Sequence, residues 1–265
     1  MSERPVVLIT GAAQRIGRSI ALELASAGFD IAVHARRSRV EAEETAAACR
    51  AAGAAAAVLI ADLDDEAATR ALVGQAVASL GRLDAVVNNA SRFEYDAPAD
   101  FTYAALLDHV RANTGAPVLL AQALHDHLAT RADVRGCVVN LLDQKLANPN
   151  PDYFSYTLSK AALDAATVML AQALAPRVRV CGVSPGVTLL SGPMNEAEFG
   201  ASHRMTPLGR SSTPEDIARA VRFLIESPAI TGTNLLVDGG QHLQAQARDV
   251  LFLAREADPP KTANR

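Results

Sequence analysis

Short apolar runs alternate along this chain with longer stretches whose apolar positions recur at helical spacing. The runs near 5–10, 30–34, 55–60, 83–87, 136–141, 178–183 and 233–237 predict strands, and the stretches near 15–27, 39–52, 64–80, 100–113, 115–130, 153–175 and 214–226 predict helices. Runs that are apolar throughout, rather than alternating, suit strands buried on both faces. Repeated βα units of this kind make a doubly wound parallel α/β sheet, here of seven strands, with helices on both faces. At Ser211 to Asp216 a capping hydroxyl, a first-turn proline and early acidic residues mark a helix start. Two stretches break the pattern. Residues 143–152 are rich in turn formers and should loop over the carboxyl edge of the sheet, and residues 184–212, broken by Pro185, Gly186, Gly192, Pro193, Gly200, Pro207 and Gly209, read as a long lid-like loop.

With 265 residues, 49% of them hydrophobic, the chain is long enough for one α/β domain, and no repeat or linker divides it. Residues 1–240 form that domain. The tail, 241–265, departs into a short helix near Ala245 to Arg255 and a polar, Pro-rich end, expected to be partly disordered or packed at a subunit interface. A net charge of −4 supplies no basic stripe for nucleic acid, and no apolar run approaches the roughly 20 residues that a membrane span needs. Residues 1–4 lead straight into the first strand without a signal-like segment, so a cytoplasmic location is expected. Cys49, Cys137 and Cys181 form no C-x-x-C pair and read as buried reduced thiols, leaving no metal site.

The chemistry concentrates in two places. Tyr156 and Lys160 stand one helical turn apart, with Asp143 thirteen residues upstream. A neighbouring ammonium favours phenolate and should lower the tyrosine's pKa. At the N-terminus, the run ending at Thr10 is followed by Gly11-Ala-Ala-Gln-Arg15-Ile16-Gly17 and then a helix. A strand, a glycine turn and a helix start form a phosphate cradle; Gly11 permits the turn and Gly17 close helix packing, while Arg15 replaces the middle glycine of the dinucleotide fingerprint. Past the second strand the chain reads His34-Ala-Arg36-Arg37-Ser38, with no Asp or Glu before Glu41. Guanidinium groups and a hydroxyl there suit a ribose 2′-phosphate, which favours NADPH over NADH.

Together T-G-x-x-x-R-x-G, Asn88-Asn89-Ala90, Tyr156-x-x-x-Lys160 and Ser184-Pro185-Gly186 occur in the order and spacing of the short-chain dehydrogenase/reductase family, which residues 5–240 resemble. T-G-A-A-Q-R-I-G, His34 to Ser38, Asn88 to Phe93, and Asp143 where the wider family has its catalytic serine are similar to the pteridine reductases. The resemblance implies a single-domain Rossmann fold with NADPH held by Gly11, Arg15, Ile16, Gly17, His34, Arg37, Ser38, Asp62, Leu63, Asn89, Ala90, Tyr156, Lys160, Pro185 and Gly186. It makes Tyr156 the acid, Lys160 its tuner and a ribose ligand, and Asn113 the holder of a relay water; Arg15, Phe93, Asp143 and Tyr156 would line a pterin pocket. Family members pair the helices corresponding to 100–130 and 153–175 across two-fold axes, so a homotetramer is expected.

Residues 140–147 contain no hydroxyl group, so recognition of a bare ketone by the usual serine is lost. A carboxylate accepts hydrogen bonds and suits a ring that presents N–H or amino donors. The expected function is therefore NADPH-dependent reduction of pterin or dihydropterin, with dihydrofolate as a further candidate. Two alternatives remain: a short-chain reductase of ketone or 3-oxoacyl substrates, and a non-catalytic NADP(H)-sensing protein.

Overall fold

The computed structural model describes residues 4–131, 134–190 and 194–257. Seven strands form one sheet: β1 (Val6–Ile9), β2 (Asp30–Ala35), β3 (Ala56–Ile60), β4 (Ala85–Asn88), β5 (Gly136–Leu141), β6 (Val178–Pro185) and β7 (Asn234–Val237). Every pairing is parallel and the order is β3-β2-β1-β4-β5-β6-β7. The helices are α1 (Arg15–Ser26), α2 (Arg39–Ala51), α3 (Glu66–Leu80), α4 (Tyr103–Val110), α5 (Ala116–Ala129), α6 (Phe154–Ala173), α7 (Glu196–Arg204), α8 (Pro214–Glu226) and α9 (Val250–Ala257). The fold is a single-domain, doubly wound Rossmann-type α/β fold.

The continuous apolar strands have the expected cause. In β1, Val7 and Ile9 pack into the core shared with Ile20, Leu24, Ile217 and Val221, while Val6 and Leu8 face Leu72, Leu120 and Leu124 on the other side. All four β1 residues are buried, as only a strand covered on both faces requires. Cys49, Cys137 and Cys181 are buried free thiols. At α8, Thr213 Oγ1 accepts from Asp216 N at 3.3 Å and Asp216 Oδ2 accepts from Thr213 N at 3.0 Å, a full capping box after the expected start signal.

Three features differ from the sequence expectations. The region 184–212 contains α7, opened by a capping box in which Asn195 Oδ1 accepts from Glu198 N at 2.9 Å and Glu198 accepts from Asn195 N at 2.8 Å. The helix expected over 100–113 is regular only in α4; Arg111–Gly115 is a π-turn leading into α5. The described part of the tail packs on its own domain: α9 lies against α7, and Arg255 pairs with Glu198 at 2.8 Å. The disorder expected of the final residues concerns 258–265, outside the described residues. Among the described residues no helix is long and apolar enough to cross a membrane.

Candidate active site

The strand order reverses direction beside β1, and there a cleft of about 520 Å³ opens at the carboxyl ends of the strands, where open α/β sheets place ligands. One half is built on the glycine turn. Gly11 has φ +62°, and a Cβ on Gly17 would stand 2.3 Å from Gly11 O and 2.6 Å from Asn89 Nδ2. The helix start therefore lies directly against the turn, leaving backbone N–H groups at a positive dipole end. Asn89 Nδ2 donates to Thr10 O at 2.9 Å and to Gly11 O at 3.0 Å, while the backbone N–H groups of Asn89 and Ala90 both donate to Thr10 Oγ1 at 3.0 Å. This cradle fits a pyrophosphate: it is close-packed and its acceptors are internally satisfied.

Arg15 occupies the position of the missing glycine with φ 56°, a left-handed conformation that costs a non-glycine residue on the order of 1 kcal/mol. Its side chain crosses the cleft mouth, where Nη2 donates to Leu190 O at 2.8 Å. Ile16, Gly17, Arg36, Ser38, Pro185 and Gly186 border the same half of the cleft. Arg37, exposed beside them, stands outside that lining, as do Asp62 and Leu63 at the end of β3.

His34 lies beneath the turn, fully buried, rather than on the cleft wall. Gly11 N donates to its Nδ1 at 3.2 Å, so the ring proton sits on Nε2, which donates to Ala61 O at 3.1 Å. This residue supports the cradle from beneath. Burial pushes its pKa down from 6.5 to about 4, so between those values the unfolded chain binds a proton that the folded chain refuses. Stability is thus fully present above about pH 6.5 and lost as pH falls through about 4, by up to about 3 kcal/mol. Chemical denaturation between pH 4 and 7 should show this slope, and His34→Gln should flatten it; an unchanged slope would assign the effect to other groups.

The second half of the cleft carries the titratable groups. Tyr156, 7% exposed, donates from Oη to Asp143 Oδ2 at 2.8 Å. Asp143 Oδ1 accepts from Lys145 N at 2.9 Å. Lys160 donates from Nζ to Leu141 O at 2.6 Å, with Nζ 5.8 Å from the centre of the Tyr156 ring. The electrostatics reverse one expectation. Burial, followed by the Asp143 carboxylate, raises the Tyr156 pKa well above its ordinary value, so the phenol is kept as a neutral donor and Lys160 does not make it a phenolate. Burial also raises Asp143 and lowers Lys160 to about 8.

Asn113 is not on the cleft wall. Its Nδ2 donates to Arg92 O and Ser159 Oγ, both at 2.9 Å, and its Oδ1 accepts from Arg92 N at 2.8 Å and Ser91 Oγ at 3.2 Å. All four side-chain valences are therefore spent within the protein, within the π-turn that interrupts the helix.

Phe93 borders the cleft, stacked on Tyr153 with centroids 4.3 Å apart and edge-on to Tyr156 at 4.7 Å. Tyr153, the left-handed N-cap of α6 with φ 54°, also lines the cleft and carries no sequence signal of its own. Gln144, Lys145 and, from the tail, Asp249 and Leu251 are further lining residues without a sequence signal of their own.

The chain as a whole is similar to known proteins. The family model described as enoyl-(acyl carrier protein) reductase matches residues 11–242. The structure of FolM alternative dihydrofolate reductase 1 from Brucella canis, complexed with NADP, superposes with a TM-score of 0.85 at 40% identity, covering 91% of this chain and 96% of that one. Pteridine reductase 1 of Leishmania tarentolae is 34% identical, over 90% of this chain and 96% of its own length. Ketoacyl reductase 2 of the granaticin polyketide synthase from Streptomyces violaceoruber is 37% identical, over 91% and 97% respectively. With a glycine cradle, a Tyr156–Lys160 pair and relatives of this extent, the chain belongs to the short-chain dehydrogenase/reductase family, as an oxidoreductase similar to the pteridine reductases.

Proposed function

We propose that the chain is an NADPH-dependent reductase of dihydropterin substrates, dihydrofolate included. The observation that carries this reading is the direct contact of the Asp143 carboxyl with the Tyr156 hydroxyl inside the cleft. A pterin presents a ring amide and an exocyclic amine to such a group, whereas a simple ketone presents only an acceptor, which a carboxylate repels. Relatives that act on pteridines or dihydrofolate by name, at 34% and 40% identity, support the assignment. The similarity to a polyketide ketoacyl reductase at 37% keeps carbonyl reduction as a second reading.

When bound, the cofactor supplies the hydride; the chain supplies orientation and the proton. The cradle at Gly11 to Gly17 fits the pyrophosphate, and Lys160, beside the Leu141 carbonyl, would hold the nicotinamide ribose. Tyr156 donates its proton to the substrate atom that gains charge, and the proton is replaced through the Asp143 carboxyl that its hydroxyl touches, a group that burial shifts toward its acid form. Arg15, bridging to Leu190 across the mouth, helps to close the cleft over both ligands.

NADPH oxidation followed with biopterin, dihydrobiopterin, dihydrofolate and several ketones tests the assignment: dihydropterins should lead, and turnover of ketones alone would contradict it. The cofactor preference gives a second expected result. Arg36 borders the cleft and Arg37 adjoins it, so Arg36→Ala should raise the KM for NADPH by about tenfold, one lost charge-assisted contact to a 2′-phosphate. Arg37→Ala should have a smaller effect, and neither should alter the KM for NADH. Equal losses with both cofactors would remove the 2′-phosphate from the argument.

A further inference from the structure

The loop that carries Asp143 is tied to the C-terminal tail through a buried charge cluster that the reaction itself does not use. Lys145 is 4% exposed, and its Nζ donates to Asp152 O at 2.5 Å and pairs with Asp249 Oδ2 at 3.5 Å. Asp152, itself buried, accepts from Arg248 Nε and Nη2 at 2.8 and 2.9 Å, from Asp249 N at 2.8 Å and from Tyr95 Oη at 3.4 Å. Asp249 Oδ1 also accepts from Leu251 N at 3.1 Å, fixing that carboxylate where the tail meets the cleft wall. An ammonium this deeply buried is tolerated only with partners, and here one, Asp152 O, belongs to the same short loop and the other, Asp249, to the tail 104 residues away.

The same lysine serves the proton donor through its main chain. Its N–H donates to Asp143 Oδ1 at 2.9 Å, at the start of the short 3₁₀ turn Gln144–Leu146. Main chain and side chain of one residue thus join Asp143 to Asp249. The charged and titratable groups around Asp143 are Tyr156 and Lys160 from α6, Lys145 on its own turn, and Asp249, through Lys145, from the tail. Tyr153, Asp152 and Arg248 complete the cluster one layer further out.

We propose that Lys145 is a positioning residue for Asp143: its N–H orients the carboxyl toward Tyr156, and its ammonium, balanced by Asp249, sets the charge that the carboxyl meets. Docking of the tail and readiness of the proton donor are then a single event. The functional importance of Asp143 rests on the pterin reading, but the geometry of the pair does not.

The test reads the titration of the Asp143 carboxyl by carbon-13 NMR in the substrate-free protein, with Asp143→Asn to assign the signal. Lys145→Met removes a cation and should raise the midpoint by about one unit; Asp249→Asn leaves that cation unbalanced and should lower it by a similar amount. In steady-state kinetics the alkaline fall of kcat should move in the same two directions, with the KM for NADPH unchanged. A cluster with only a structural role would lower kcat in both variants without moving the midpoint. An unmoved midpoint in either folded variant, or shifts of the same sign, overturns the proposal. Should Lys145→Met fail to fold, Asp249→Asn decides alone, since it keeps the Lys145 main chain. Because the NMR titration needs no substrate, a wild-type protein inactive on dihydropterins would refute the substrate assignment and leave this result standing.

Discussion

Tyr156→Phe is expected to lower kcat on the preferred substrate by about 10²- to 10⁴-fold, the usual worth of a positioned general acid, while leaving NADPH affinity intact. The substitution removes one hydroxyl and little else. The ring keeps its edge contact with Phe93 at 4.7 Å, and Lys160 keeps its bond to Leu141 O at 2.6 Å. The raised pKa of the phenol makes it a donor in the resting site, so its loss cannot be replaced by a more acidic neighbour in the same position. Stopped-flow NADPH oxidation together with fluorescence titration of NADPH separates the two quantities. A variant retaining more than about a tenth of the wild-type kcat would make Asp143 or a water the principal donor.

Asp143→Asn should reduce kcat for dihydropterins by about tenfold or more. The carboxyl uses both oxygens, one accepting from Lys145 N at 2.9 Å and the other from Tyr156 Oη at 2.8 Å. An amide has a single oxygen, so it must forfeit one acceptor and cannot return a proton to Tyr156. The pH profile carries the same information. Burial raises Asp143, and the proportion of its acid form declines as pH increases through that raised value. Lys160, lowered to about 8, loses its charge in the same direction. Wild-type kcat should therefore fall with rising pH, and in Asp143→Asn only the Lys160 limb should remain, moved to lower pH because the carboxylate that raises the Lys160 pKa is gone. A wild-type profile that climbs from pH 6 to 9 would remove Asp143 as an acid.

Much of this molecule is legible in its sequence because a parallel sheet buries both faces of each strand. All seven apolar runs became strands, and the order of the βα units fixed the cleft where Gly11, Gly17 and Tyr156 meet. What escaped is of a different physical kind. The capping box Asn195–Glu198 was visible in principle, but prolines and glycines on either side hid the short α7 behind it. The π-turn at Arg111–Gly115 depends on one extra backbone residue and leaves no trace in composition. Lys145 and Asp249 are too far apart in sequence for any periodicity to join them. The spacing of Tyr156 and Lys160 reports only that the groups are near, whereas burial and the direction of the O–H toward Asp143 decide the sign of the shift.

Selection of a pterin by Asp143 is tested most directly by the ratio of kcat/KM for dihydrobiopterin to that for a simple ketone, measured with NADPH in the wild type and in Asp143→Ser. Serine restores a hydroxyl that can donate to a carbonyl, so the ratio should fall by about tenfold or more, through loss on the pterin and gain on the ketone. Equal activity of both proteins on dihydrobiopterin, with no gain on the ketone, would make Asp143 a structural loop residue and contradict the assignment.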